Sequence, residues 1–128
     1  YIEVTEYNDD NLRTKVKTDN DGDGNYDSIV KYTYNTFNNY TKVEDDSDGN
    51  GINNGITEYT YNQAGRTIKV EEDTDLDGTP DDISKLTYDD DLNLIKSTRD
   101  SDGNGSPNTI SEYVFKKFED VFPFVGFD

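Results

Sequence analysis

Cysteine and histidine are absent from the 128 residues. Without cysteine no disulfide staples the fold and no thiolate chemistry is available. Apolar residues are scarce as well, at 30% of the chain. No apolar run is long enough to span a bilayer, and no signal peptide is seen. The chain opens at Tyr1 in the middle of a repeat, as an excised fragment would. A conventional two-layer core built from so little apolar material would be thin. Ten tyrosines and six phenylalanines partly compensate, because each ring covers a large area. Bases are also short: 12 against 29 acids, for a net charge of −17. DNA, RNA and anionic membrane surfaces are poor partners for such a charge, and neither nucleic-acid binding nor membrane insertion is expected.

What the chain does have is order in its acids. Four nine-residue segments recur at a spacing of 27 residues: DNDGDGNYD from Asp19, DSDGNGINN from Asp46, DTDLDGTPD from Asp73 and DSDGNGSPN from Asp100. All fit D-x-D-x-[DN]-G-x-x-[DN]. Oxygen side chains at positions 1, 3, 5 and 9 turn inward in such a loop, and glycine at 6 permits the reversal that brings a position-7 carbonyl into the same shell. One match is an ordinary turn; four in register are metal loops. The side-chain ligands expected are Asp19, Asp21, Asp23 and Asp27; Asp46, Asp48, Asn50 and Asn54; Asp73, Asp75, Asp77 and Asp81; and Asp100, Asp102, Asn104 and Asn108. The carbonyls of Asn25, Ile52, Thr79 and Ser106 are expected at position 7. Hard oxygen ligands in a flexible loop select Ca²⁺, about four ions in all, which would cancel nearly half of the net charge. The first and third loops offer four carboxylates each and the second and fourth two, so the first and third are expected to bind more tightly.

The whole unit repeats with the loops. After each comes a run of alternating β-branched and aromatic residues: SIVKYTYN, GITEYTYN, DISKLTYD and TISEYVFK from Ser28, Gly55, Asp82 and Thr109, with IEVTEYN from Ile2 in the same columns. Period-2 alternation argues for strands. One face carries Tyr32/Tyr34, Tyr59/Tyr61, Leu86/Tyr88 and Tyr113/Phe115; the other carries Ile29, Ile56, Ile83 and Ile110, then Lys or Glu. A short polar turn and a return strand follow, with Lys15, Lys42, Lys69 and Lys96 in one column. The expectation is an all-β fold: tandem 27-residue hairpins in an extended or curling antiparallel sheet of about nine strands, with metal loops along one edge. The array is expected to cover residues 1–116, in units near 1–18, 19–45, 46–72, 73–99 and 100–116. The apolar residues 117–128 break the pattern and read as a terminal cap or the stub of a next domain.

The loops resemble the first nine positions of EF-hand loops, and more closely the short calcium loops of integrin alpha-subunit blades, dockerins and thrombospondin type 3 repeats. Position 12, where an EF-hand places a bidentate glutamate, holds Val30, Thr57, Ser84 and Ser111 here, so a helix-opening sensor is not implied. Water or a neighbouring acid, with Glu44, Asp45, Glu71 and Glu72 as candidates, would complete each shell. YTYNQAGRTIKV at residues 59–70 resembles the tyrosine–aspartate repeats of bacterial Rhs proteins and teneurins. That resemblance implies a long curling sheet.

The function expected is a calcium-stabilised structural or spacer module of a secreted or cell-surface bacterial protein. Its partners would be neighbouring repeats or domains of the parent protein. The rival is a calcium-dependent adhesion or carbohydrate-binding module that uses the tyrosine face to hold a polysaccharide. Catalysis is not expected: the acids fall into metal-ligand spacing, and little stands outside the repeat. The extracellular assignment follows from the loops and not from an address signal.

Overall fold

A computed structural model describes residues 1–115. Nine strands form a single sheet in sequence order, every neighbouring pair antiparallel. They are β1 (Ile2–Tyr7), β2 (Arg13–Asp19), β3 (Ser28–Tyr34), β4 (Tyr40–Asp46), β5 (Gly55–Tyr61), β6 (Thr67–Asp73), β7 (Asp82–Tyr88), β8 (Leu94–Asp100) and β9 (Thr109–Glu112). No helix is present among the described residues. This is the expected up-and-down sheet of hairpins. The expected segment 117–128, with residue 116 before it, lies outside the described residues.

The polar turns explain why each hairpin closes where it does. Asn8, Asn35, Asn62 and Asp89 open the four turns, and each turns its side-chain oxygen back over the chain. Asn62 Oδ1 accepts from the amides of Ala64 and Arg66 at 3.0 and 2.9 Å, and Asp89 Oδ1 accepts from those of Asp91 and Asn93 at 3.0 and 2.8 Å. Asn8 and Asn35 do the same for their own turns. The fourth residue of each turn is left-handed: Asn11 (φ 61°), Asn38 (63°), Gly65 (76°) and Leu92 (63°). Asparagine and glycine tolerate that region, whereas leucine is strained there. So Gly65, followed by Arg66 in YTYNQAGRTIKV, marks a backbone shape that all four turns keep.

Beyond each turn the return strand bulges, carrying one extra residue (Thr14, Thr41, Ile68 or Ile95) opposite the steps Glu6/Tyr7, Thr33/Tyr34, Thr60/Tyr61 and Thr87/Tyr88. A tyrosine sits beside the bulge and reaches back to the preceding hairpin. Tyr34 Oη donates to the Arg13 carbonyl at 2.8 Å, Tyr61 Oη to that of Tyr40 at 2.8 Å and Tyr88 Oη to that of Thr67 at 2.9 Å. Tyr40 packs edge-on to Tyr34 and Tyr59, with centroids 6.4 and 4.9 Å apart. One end of the sheet is thus stitched hairpin to hairpin by aromatic side chains.

The register separates the two faces as the alternation predicts. Tyr32 lies opposite Val43 and Tyr59 opposite Val70, while Ile29 lies opposite Asp46 and Ile56 opposite Asp73. The second face is laced by ion pairs: Lys17–Glu6 (2.6 Å), Lys42–Glu44 (3.6 Å), Lys69–Glu71 (2.6 Å) and Lys96–Glu112 (3.2 Å). Each is at least partly exposed and adds little stability alone. Nothing among the described residues covers either face. Among the described residues no apolar side chain is buried; the buried side chains are Asp19, Asp46 and Asp100.

Leu92 offers a direct check on turn strain. Replacing it by glycine should raise unfolding stability by about 0.5–1 kcal/mol, since a left-handed leucine is penalised by more than glycine's extra chain entropy. Denaturant unfolding of Leu92→Gly measures this, and a loss of stability would mean that the leucine side chain contributes more by packing than the backbone loses.

Candidate metal centres

At the other end of the sheet the four nine-residue loops join β2 to β3, β4 to β5, β6 to β7 and β8 to β9. We number them loops 1 to 4. The first aspartate of each is the last residue of its strand, on the face of the isoleucine row. Burial follows from that position: Asp19 and Asp46 are 2% exposed and Asp100 5%, while Asp73 is half-buried.

Each of these carboxylates organises the loop that follows it. Asp19 accepts from the Gly22 amide at 2.6 Å on one oxygen and from the Gly24 amide at 3.0 Å on the other. Asp73 accepts in the same way from Leu76 at 2.7 Å and Gly78 at 3.0 Å. In loops 2 and 4 one bond remains, from Gly51 to Asp46 Oδ2 at 2.8 Å and from Gly105 to Asp100 Oδ2 at 2.7 Å. Asp46 Oδ1 and Asp100 Oδ1 are buried with no hydrogen-bond partner. An orphaned buried oxygen of this kind costs about 1–3 kcal/mol, and more when charged.

These groups stay ionised at neutral pH. Burial pushes the Asp19, Asp46 and Asp100 carboxyls up, but in each the surrounding loop donors outweigh it. The Gly22 and Gly24 amides hold Asp19 below the usual range and the Gly51 amide leads for Asp46; for Asp100 a hydrogen bond shared with the Asp102 carboxyl leads, followed by the Gly105 amide. Asp81 is lowered by the Thr74 hydroxyl and amide.

The carboxylates of Asp19, Asp21 and Asp27 bring oxygens within 4.8 Å of one another, and those of Asp73, Asp75 and Asp81 do the same; each set is able to hold a metal ion. Positions 1, 3 and 9 therefore converge in loops 1 and 3. Position 5 instead closes its own turn. Asp23, Asn50, Asp77 and Asn104 accept from the position-7 amides of Asn25, Ile52, Thr79 and Ser106 at 2.7, 2.7, 2.7 and 2.8 Å. Asp48 and Asp102 at position 3 make long contacts of 3.4 Å to the amides of Asn50 and Asn104. Position 9 ties the loop mouth shut. Asp27 Oδ2 accepts from the Asn20 amide at 2.6 Å and Asp81 Oδ2 from Thr74 at 2.8 Å. Each leaves a second carboxylate oxygen to the cluster. Asn54 Oδ1 accepts from both the amide and hydroxyl of Ser47, at 2.7 and 3.0 Å, and Asn108 Oδ1 from those of Ser101 at 2.6 and 3.0 Å. Their remaining polar atom is an amide nitrogen, which cannot ligate a cation.

Of the accessory acids, Glu44 and Glu71 share a face with Asp46 and Asp73, whereas Asp45 and Glu72 alternate to the other face. Glu44 is already bonded to Asn53 Nδ2 at 3.0 Å. The position-12 residues Val30, Thr57 and Ser84 lie inside strands, paired across the ladder.

The ligand pattern treats position 4 as variable, yet its backbone is left-handed in every loop: Gly22 (φ 79°), Gly49 (66°), Leu76 (61°) and Gly103 (61°). Glycine in three of the four copies was the available signal. Position 8 was also missed. Tyr26 lies beneath the Lys17 ammonium, 5.5 Å from the ring centroid, and Asn53 bonds Glu44, so position 8 folds back over the strand residue two before the loop.

No protein-family model matches the chain, and no curated protein gives a significant match to it.

Asn54→Asp supplies loop 2 with the third carboxylate oxygen that loops 1 and 3 have. Calorimetric titration with Ca²⁺ should show one class of site strengthened by about tenfold, the effect expected of ligand charge. Unchanged affinity would mean that position 9 serves the loop mouth alone.

Proposed function

We propose that this chain is a calcium-stabilised structural repeat module, a spacer within a secreted or cell-surface bacterial protein. One observation carries the reading: the fold buries aspartates and no apolar side chain among its described residues. Buried carboxylates are unfavourable unless compensated. A sheet without a core has little else to offset strand ordering. Cations in the loops supply both needs, because they neutralise the aspartates and lock the turns that connect the hairpins. Ca²⁺ suits the all-oxygen, irregular loops better than Mg²⁺, which requires a near-octahedral shell.

The extracellular setting is part of the proposal: the weaker pair of loops is expected in the range of roughly 10⁻⁴ to 10⁻³ M that extracellular modules use. The tyrosines favour a spacer over a carbohydrate-binding module. Three of them spend their hydroxyls on backbone carbonyls of the adjacent hairpin, and their rings are half-buried against the sheet.

Two experiments test this reading. Thermal unfolding in millimolar Ca²⁺ should show a midpoint at least about 10 °C above that in EDTA, the shift expected when several sites fill well above their dissociation constants. Mg²⁺ should restore little of it, and equal midpoints with and without Ca²⁺ would contradict the proposal. Asp46→Asn keeps an acceptor for the Gly51 amide but removes the unpartnered charge. Its midpoint should therefore match or exceed the parent's in EDTA and fall below it in Ca²⁺. An equal loss in both conditions would assign Asp46 a purely structural role.

A further inference from the structure

The four loops are not equivalent, and the difference has a period of two repeats. Gly49, at position 4 of loop 2, sits directly on loop 1: a Cβ there would overlap the Tyr26 carbonyl oxygen and crowd the backbone of Asp27. Gly103, in the same column of loop 4, sits on loop 3 against the Pro80 carbonyl and the Asp81 backbone. Gly22, in that column of loop 1, has open space around it. Loop 3 carries Leu76 there, and a residue with a Cβ cannot take the approach that Gly49 and Gly103 make. Close backbone junctions thus join loop 1 to loop 2 and loop 3 to loop 4, while the junction between loops 2 and 3 lacks one. The charge pairs alternate with the same period. Lys15 faces Lys31 and Lys69 faces Lys85 beside loops 1 and 3, whereas Lys42 faces Glu58 and Lys96 faces Glu112 beside loops 2 and 4.

The orphaned oxygens fall on the same side of each junction. In loops 1 and 3 the position-4 amide bonds the first aspartate, through Gly22 and Leu76. In loops 2 and 4 the glycine lies on its neighbour, and Asp46 Oδ1 and Asp100 Oδ1 are buried with no hydrogen-bond partner.

We propose that the loops act as two coupled pairs, 1 with 2 and 3 with 4, in which a divalent cation held by the three-carboxylate loop raises the affinity of its neighbour for a second. The inference rests on the calcium reading above. Its path is short. A cation drawn in by Asp19, Asp21 and Asp27 fixes Asp27, whose amide bonds the Thr18 carbonyl at 2.7 Å. That sets the Tyr26 carbonyl, the surface on which Gly49 rests, and so shapes the loop around Asp46 before its own cation arrives. Asp81, with its amide 2.7 Å from the Glu72 carbonyl, plays the same part for Pro80 and Gly103. Repulsion between cations two strand spacings apart, roughly 10 Å, opposes the effect. For the coupling to be positive, the ordering of loop 2 through the Gly49 junction must outweigh this repulsion.

The position-6 amides of Gly24, Gly51, Gly78 and Gly105 each bond the first aspartate of their own loop, so each reports one site. Calcium titration of the whole chain, followed at these four amides by NMR, tests the proposal. Gly24 and Gly51 should titrate together with a Hill coefficient above one, as should Gly78 and Gly105. Asp21→Ala should raise the Gly51 midpoint about fivefold or more, the usual floor for site–site coupling, and leave Gly105 unmoved. Asp75→Ala should do the reverse. Gly49→Ala should uncouple the first pair, whereas Gly22→Ala, equally left-handed but in open space, should weaken loop 1 without uncoupling it. An unmoved Gly51 midpoint in Asp21→Ala overturns the coupling while leaving calcium binding intact, as do equal effects of the two alanine variants. If no amide responds to Ca²⁺ in the parent chain, the calcium reading fails and the coupling with it.

Discussion

A carboxylate taken out of water is among the least favourable groups for a protein to bury, and in this sheet it is what the fold buries best. The rest of the structure follows from that inversion. A layer of nine antiparallel strands has two faces, and here neither is covered among the described residues. Among the described residues there is no shared core to supply stability, and what holds them is each hairpin's grip on the next. That hold is concentrated at the two ends of the strands. At one end tyrosine hydroxyls cross to the neighbouring hairpin's backbone. At the other, aspartates at the strand ends gather the amides of the loops that follow.

The two ends differ in what they lack. At the tyrosine end the three hydroxyl-to-carbonyl bonds join neutral groups that satisfy each other. The loop end concentrates ionised carboxylates whose charge the surrounding amides stabilise without neutralising. Hydrogen bonds from the loop satisfy Asp19 on both oxygens but leave one oxygen each of Asp46 and Asp100 without a partner. In the proposed reading a cation would supply what amides cannot, because it offers a full positive charge to several oxygens at once. In this account the acidity of the chain is a structural material, placed where each repeat joins the next.

Much of this was legible in the residues. Period-2 alternation located the strands, and the 27-residue register of Asp and Gly located the loops, because both patterns are imposed directly by backbone geometry. Positions 1, 3 and 9 of loops 1 and 3 converge as their spacing implies. The rest was hidden for specific reasons. Asn54 and Asn108 look like neutral ligands, but which way an amide points depends on its neighbours, and Ser47 and Ser101 claim their oxygens. Leu76 and Leu92 occupy left-handed positions that nothing about leucine announces. The role of Gly49 and Gly103 depends on what lies two strands away, which no pattern confined to one loop encodes.

In the proposed reading the loops hold the sheet together through bound cations, in place of a core among the described residues. Amide hydrogen exchange measured residue by residue, in calcium and in chelator, addresses it most directly. In calcium the slowest exchange should lie at the loop ends of the strands, around Thr18, Asp45, Glu72 and Arg99, and chelation should remove this protection there first. Protection centred on the tyrosine rows and unchanged by chelation would contradict it, because the sheet would then be held by its aromatic face.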